Sequence, residues 1–530
     1  MVIDLEKFGG GRQVALANIG AAMDKVRAAK KPVLVRATFY QDGGMLLAAH
    51  ASEAWVDPIG GVAIAGPGGT SLYYKALLDR LKVKAHVFKV GTYKSAVEPF
   101  IRESASPEAK QALTAVYSAL WDNWQSDVKK ARPKADLTLA VGDPVKWLAD
   151  SGGDAAQAAV KAGLVDKVGD RADFAKRVTE IVGADPSGPD GGFRQTKIGP
   201  YLADRSEPTA GKAIAVVTIA GDIVDGDAGP GAAGGDRIAG LIDTAAASGN
   251  YAAMVVRVDS PGGSVLASER IRSANERVKA KGLPVAVSMG SLAASGGYWV
   301  STPAQRIFAE PATITGSIGI FAIIPTFEEA LAKIGVTSDG VRTTPLSGQP
   351  DVVGGLSPQV EAVTQAEIDS NYARFLSLVA ASRHKTPQDI DKIAQGRIWD
   401  GGTARQIGLV DQFGGLDDAL AWAAKAAKAG EWHAVYLGAS TDPFESLLEQ
   451  MAGTDSDKGD TGGSSTGGDF AALVALRQSA LADRLGADLS RLLGGQGAQA
   501  YCLECAGVAE RPVARGEGRG WLAVLSRLVG

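Results

Sequence analysis

Ser295 lies in the run Ser291-Leu-Ala-Ala-Ser-Gly-Gly-Tyr-Trp299, directly after a strand read as ending near Met289. Small residues on both sides let a backbone or ligand approach, and a helix is expected to start here. A serine oxygen at a helix N-terminus gains from the positive dipole end as it becomes anionic. The same pattern also fits a serine that merely caps the helix. Ser260-Pro-Gly-Gly263 follows a second buried strand. The N–H groups of Gly263 and Gly296 could together form an oxyanion hole, although most Gly-Gly pairs are plain strand-to-helix turns.

A hydroxyl needs a base to attack at neutral pH. The four histidines (His50, His86, His384, His433) are scattered, and none stands near a carboxylate in a triad pattern. A lysine can serve if burial lowers its pKa. Lys94, in Val90-Gly-Thr-Tyr-Lys-Ser-Ala-Val-Glu-Pro99, has the most ordered local setting of any lysine. A lysine taken at random is a solvated surface charge, so its context must carry the assignment.

Internal repetition supplies that context. Val255-Val-Arg-Val-Asp259, a Gly-rich turn, a helical run and Pro284-Val-Ala-Val287 follow the same script as Val2-Ile-Asp-Leu5, Gly9-Gly-Gly11, a helical run and Pro32-Val-Leu-Val35. Pro32 and Pro284 lie 252 positions apart; Ser106-Pro107 answers Ser357-Pro358, and Gly163-Leu-Val-Asp166 answers Gly408-Leu-Val-Asp411. The expected fold is α/β, with two tandem domains built from β-α-β crossovers. On the 252 offset Ser295 aligns with Gly43, and on an offset of 251 Lys94 aligns with Pro345. Each copy keeps the half of a Ser-Lys dyad that the other lacks, so the dyad would have to form across the domain interface.

The elements divide into a first copy at 1–182, a linker at 183–211, a second copy at 212–435 and a tail at 436–530. The tail holds a low-complexity stretch from Thr454 to Asp469, an expected amphipathic helix from Ala471 to Leu493, and irregular chain after it. The second copy opens on Ala213-Ile-Ala-Val-Val-Thr-Ile-Ala220, for which the first copy has no counterpart. The first domain is therefore expected to be incomplete at its start, with upstream material missing.

Bulk properties exclude several classes. At 530 residues the chain exceeds one ordinary core, and 45% hydrophobic with 22% charged content is that of a globular protein. A formal charge of −4 gives no basic face for nucleic acid. No apolar run approaches the ~18 residues of a membrane span, and the start lacks a signal-peptide pattern. Cys502 and Cys505 cannot build a disulfide framework. A lone C-x-x-C could be half a metal site or a redox pair, but two incidental thiols are the expectation, with no metal and no cofactor.

The stretches Gly91-Thr-Tyr-Lys-Ser-Ala-Val-Glu-Pro-Phe-Ile-Arg102, Asp259-Ser-Pro-Gly-Gly-Ser264, Ala293-Ala-Ser-Gly-Gly-Tyr-Trp299, Thr315-Gly-Ser-Ile-Gly-Ile320 and Asp391-Lys-Ile-Ala-Gln-Gly396 resemble the long, two-copy signal peptide peptidase A family of bacteria (peptidase family S49). That family belongs to the Clp-protease/crotonase superfamily. The likeness spans roughly residues 1 to 435. It implies a serine endopeptidase in which Ser295 attacks, Lys94 takes its proton and Ser317 holds the lysine amine. Read alone, Ser317 also fits a turn serine in a Gly-rich loop. The resemblance further implies apolar peptides and cleaved signal peptides as substrates and a bowl-shaped homotetramer. It places the protein at the periplasmic face of the inner membrane, attached through a segment this chain lacks. Two rivals stand beside it: an inactive peptide-binding scaffold, and an acyl-CoA hydratase or isomerase on the same fold, for which no flanking carboxylates are found.

Overall fold

The computed structural model describes residues 1–186, 192–205, 209–229 and 231–438, together with 485, 486, 488, 492, 497–502 and 505. It is a mixed α/β protein. Near the start, Val2–Asp4, Leu34–Tyr40, Glu53–Val62 and Lys167–Val168 form a four-stranded, all-parallel sheet. The helix Gln13–Ala28 crosses between the first two strands, which is the expected β-α-β unit.

A larger sheet runs Ile398–Asp400, Ile314–Gly316, Val285–Ala294, Tyr251–Ser260, Lys212–Ala220, Trp432–Leu437. Every pair along it is parallel except the one with the first-named edge strand. Helices Gly235–Ser248 and Val265–Ala280 supply the crossovers. All ten residues of Val285–Ala294 are buried, as expected of a strand covered on both faces. This strand extends five residues past Met289, through a register shift between Met289 and Ala293. The sheet also reaches Leu437, beyond the boundary expected at 435.

The two halves use the same local devices. Ser106 and Ser357 cap helices Pro107–Ala131 and Pro358–Arg383, of 25 and 26 residues, each accepting a backbone N–H three residues on. Asp166 accepts from the N–H of Ala54 and pairs with Arg132; Asp411 accepts from the N–H of Ile307 and pairs with Arg383.

They are also joined. Lys84–Val90, from the first half, pairs antiparallel with Ile320–Thr326 over seven residue pairs. Phe88 is thereby buried in the core formed by Val256, Met289, Trp299 and Phe375. Arg12 reaches Asp259 at 2.8 Å and Asn18 donates to Glu310.

The segment expected to be a linker carries structure: a short helix at Ile198–Ala203, and Phe193 packed against Leu34, Trp55, Phe174 and Val178. The expected low-complexity stretch at 454–469 lies outside the described residues. So does the expected helix at 471–493, apart from four of its residues; of these, Leu492 packs with Tyr74 and Phe100. The expectation of irregular chain beyond 493 is corrected, because Gln499–Tyr501 is a strand of the six-stranded sheet that contains Lys84–Val90. Cys502 and Cys505 are not incidental thiols. They are joined in a disulfide and buried, which their three-residue spacing permits once the tail folds back against Leu292, Ala294 and Ile314.

Candidate active site

Ser295 stands between the strand Val285–Ala294 and the short helix Gly296–Trp299. Its backbone is left-handed, with φ of +56°, a conformation that costs energy for a residue with a Cβ and is held here by its surroundings. Its N–H is fixed by the carbonyl of Gly316, and its carbonyl accepts from Tyr298 and Trp299. The side chain makes no capping bond. Instead Oγ accepts from Lys94 Nζ at 3.0 Å. A four-residue helix carries little dipole, so what distinguishes this serine is the amine beside it.

Lys94 arrives on the turn after Lys84–Val90 and leads into the 3₁₀ turn Ser95–Val97. Its Nζ also donates to Ser317 Oγ at 3.0 Å and to the Ser317 carbonyl at 3.3 Å. Ser317 is itself left-handed at φ of +51°, its N–H tied to the Arg397 carbonyl. Ser295, Lys94 and Ser317 all have zero solvent exposure. The lysine stem passes between two glycines: a methyl on Gly319 would stand 3.1 Å from its Cδ, and one on Gly396 would stand 2.6 Å from its Cβ.

Gly263 lies in the strand Gly262–Ser264, which touches the start of the Gly296–Trp299 helix. A Cβ on Gly296 would lie 3.0 Å from the Cα of Gly262, and a Cβ on Gly262 would lie 2.5 Å from the Gly296 nitrogen. Only glycine permits this approach. Ser260 Oγ ties the turn down, donating to the Gly221 carbonyl and accepting from the Gly262 N–H.

All five residues singled out in the sequence thus meet in one place. Others that shape it went unassigned. Gln395 takes the N–H of Tyr93 on its carbonyl and that of Thr92 on its side chain, and so grips the lysine turn from 303 positions away. The signal was the run Asp391–Gly396, noted without a role. Glu269 receives Trp299 Nε1 at 2.8 Å and bonds Arg272 and Arg374, which steadies the helix after Ser295. Against the cost of burial, these partners hold its carboxyl down at about 2. Among the described residues no cluster of His, Cys, Asp and Glu could hold a metal ion. None of the described helices is long and apolar enough to cross a membrane.

Comparison with known proteins gives this geometry a context. Protease 4 of Salmonella typhi is 43% identical over 456 residues, 86% of this chain and 73% of that protein. Protease 4 of Haemophilus influenzae is 40% identical, over 79% of this chain and 69% of that protein. The Serine protease SPPA, chloroplastic, of Arabidopsis thaliana is 26% identical, over 71% of this chain and 56% of that one. The profile of Peptidase family S49 matches residues 25–185 and 277–430. Such relatives, around such a site, define a hydrolase of peptide bonds. The chain belongs to peptidase family S49.

Proposed function

We propose that this protein is a serine endopeptidase working through a Ser-Lys dyad, with Ser295 as nucleophile and Lys94 as general base. The observation that carries the reading is the 3.0 Å contact between Lys94 Nζ and Ser295 Oγ, made by residues from different halves of the chain. Removal from water favours the neutral amine, which is the form able to take a proton. As Ser295 Oγ attacks the scissile carbonyl, its proton passes to Lys94 Nζ. The N–H groups of Gly263 and Gly296 stabilise the oxyanion, and Lys94 then protonates the departing amine. Water, activated by the same amine, releases the acyl group. Ser317 is a positioning residue that keeps Nζ aimed at Oγ.

The substrates in this reading are cleaved signal peptides and similar apolar peptides, taken as extended strands. The setting is the periplasmic face of the bacterial inner membrane, and the working form is a homotetramer of chains that each hold two Clp-protease/crotonase-like copies. The support for these points is the resemblance of the five motifs, together with the protease names of the relatives.

The test is turnover of a fluorogenic peptide ester with an apolar side chain. Ser295→Ala should abolish it while the melting curve stays in place; surviving activity would refute the nucleophile. Wild-type activity should rise with pH as the buried amine loses its proton. A profile flat from acid to alkaline would remove Lys94 from the role of base.

A further inference from the structure

Arg397 stands just before the edge strand Ile398–Asp400, and its guanidinium lies between two aromatic rings. The guanidinium carbon is 4.2 Å from the ring centre of Trp399 and 5.0 Å from that of Tyr93. Both rings are pinned: Tyr93 Oη donates to Gln111 Oε1 at 3.1 Å, and Trp399 Nε1 donates to the Ile393 carbonyl at 2.9 Å. Stacking of this kind uses the faces of the guanidinium and leaves its N–H edge over. No carboxylate among the described residues pairs with Arg397, and its Nε is closed off from solvent with no hydrogen-bond partner. Arg132 and Arg383 also leave Nε unbonded, yet each pairs through Nη with an aspartate, Asp166 and Asp411.

This seat adjoins both halves of the dyad. Tyr93 directly precedes Lys94. Trp399 packs on Gly316, where a methyl would stand 2.8 Å from its Cδ1. The Gly316 carbonyl fixes the N–H of Ser295, and the Arg397 carbonyl fixes that of Ser317. Tyr93, Arg397 and Trp399 are each half-buried, so the seat is reachable from solvent.

We propose that Arg397, framed by Tyr93 and Trp399, is a subsite for a carboxylate of the bound peptide, and that this carboxylate is the free C-terminus. The proposal rests on the peptidase reading of the dyad. A planar guanidinium takes a carboxylate through two parallel N–H···O bonds, and rings that fix its plane reduce the ordering such a pair requires. An apolar peptide brings no side-chain anion, so its terminus is the one group that can meet this cation. A fragment released by an earlier cut carries that terminus at its end. The same sequence inside an uncut precursor does not. The subsite therefore lets a peptidase with apolar preferences tell released fragments from intact proteins.

The probes are three forms of a fluorescein-labelled peptide, Ala-Leu-Leu-Ala-Leu-Ala: the free acid, the C-terminal amide, and the amide with Glu in the last place. Anisotropy reads their binding to the full-length Ser295→Ala protein, and turnover by wild type gives kcat and KM. The free acid should bind about tenfold more tightly than the amide, the equivalent of about 1.4 kcal/mol, with KM lower to match. Arg397→Gln in the Ser295→Ala background should bring the acid-to-amide ratio to about one. Should that variant fail to melt cooperatively, Arg397→Lys replaces it; an ammonium lacks the planar fork, so the ratio should still fall several-fold. A ratio near one before any substitution overturns the proposal. So does an Arg397→Gln that weakens acid and amide alike, which is what a mere rivet of the lysine turn would do. A Glu amide that binds as well as the free acid overturns the assignment to the terminus. An acid preference without turnover by wild type supports the subsite and counts against the peptidase reading, turnover with a ratio near one does the reverse, and binding of none of the three overturns both.

Discussion

At Gly396 a methyl group would stand 2.6 Å from the Cβ of Lys94, and the backbone there has φ of +76°. Gly396→Ala should therefore push the amine off Ser295 and strain the loop at once. We expect a fall in kcat of about a hundredfold, in line with misplacing a catalytic group by an ångström, with KM little changed. Steady-state kinetics on the folded variant checks this; a fall in affinity alone would mean that the glycine shapes the groove and not the lysine. That Ser295 and Lys94 would meet was legible in the repeat, where each copy keeps what the other lacks, and Nζ lies 3.0 Å from Oγ; Ser317 came only with the family resemblance, since read locally it also fits a turn serine. Gln395 was not legible, since its bonds to the lysine turn join positions three hundred residues apart. Nor was the state of Cys502 and Cys505, since a C-x-x-C spacing does not reveal whether the tail returns to bury the pair.

Among the elements, Gly290-Ser291 reads locally as the end of a strand, yet the strand continues to Ala294. Tertiary partners decide it: Ile314–Gly316 pairs with residues 292–294, and a register shift absorbs the irregularity. Helix starts were more readable, because Ser-Pro carries its own cap and fixed φ. The helix after Ser295 depends on Glu269, whose carboxyl lies far below its ordinary value of 4.5, at about 2. A group with a depressed pKa stabilises the fold fully above the unfolded value and loses that contribution as pH falls through the folded one. Glu269→Gln should therefore lower the melting temperature at pH 7, and the gap to wild type should close between about pH 4.5 and 2. A gap that persists unchanged into acid would show that packing, not charge, is what Glu269 contributes.

For the molecule as a whole, the expected α/β architecture and β-α-β crossovers are present. The joint between the halves was not foreseeable, because an amphipathic strand does not name its partner. Lys84–Val90 could have lain at the edge of its own sheet, but it pairs with Ile320–Thr326 and buries Phe88 in the distant core. Phe88→Ala should cost about 3–5 kcal/mol, the usual loss for a buried ring. It should also lower activity at temperatures where the protein remains folded, because Lys94 stands on the turn that follows this strand. Loss of stability with full activity below the melting point would show that the lysine turn is held by Gln395 and Gly396 alone.

The grip on Lys94 comes from chain made late: Ile320–Thr326, Ser317 and then Gln395–Gly396. During synthesis the amine emerges early and waits, with nothing to face, while some three hundred further residues are added. A chain that stops before 396 holds Ser295 and Lys94 but lacks the contacts of Gln395 and Gly396 with the lysine turn. On the proposed reading, the contacts that aim Nζ at Ser295 are complete only once the segment around 396 has been added.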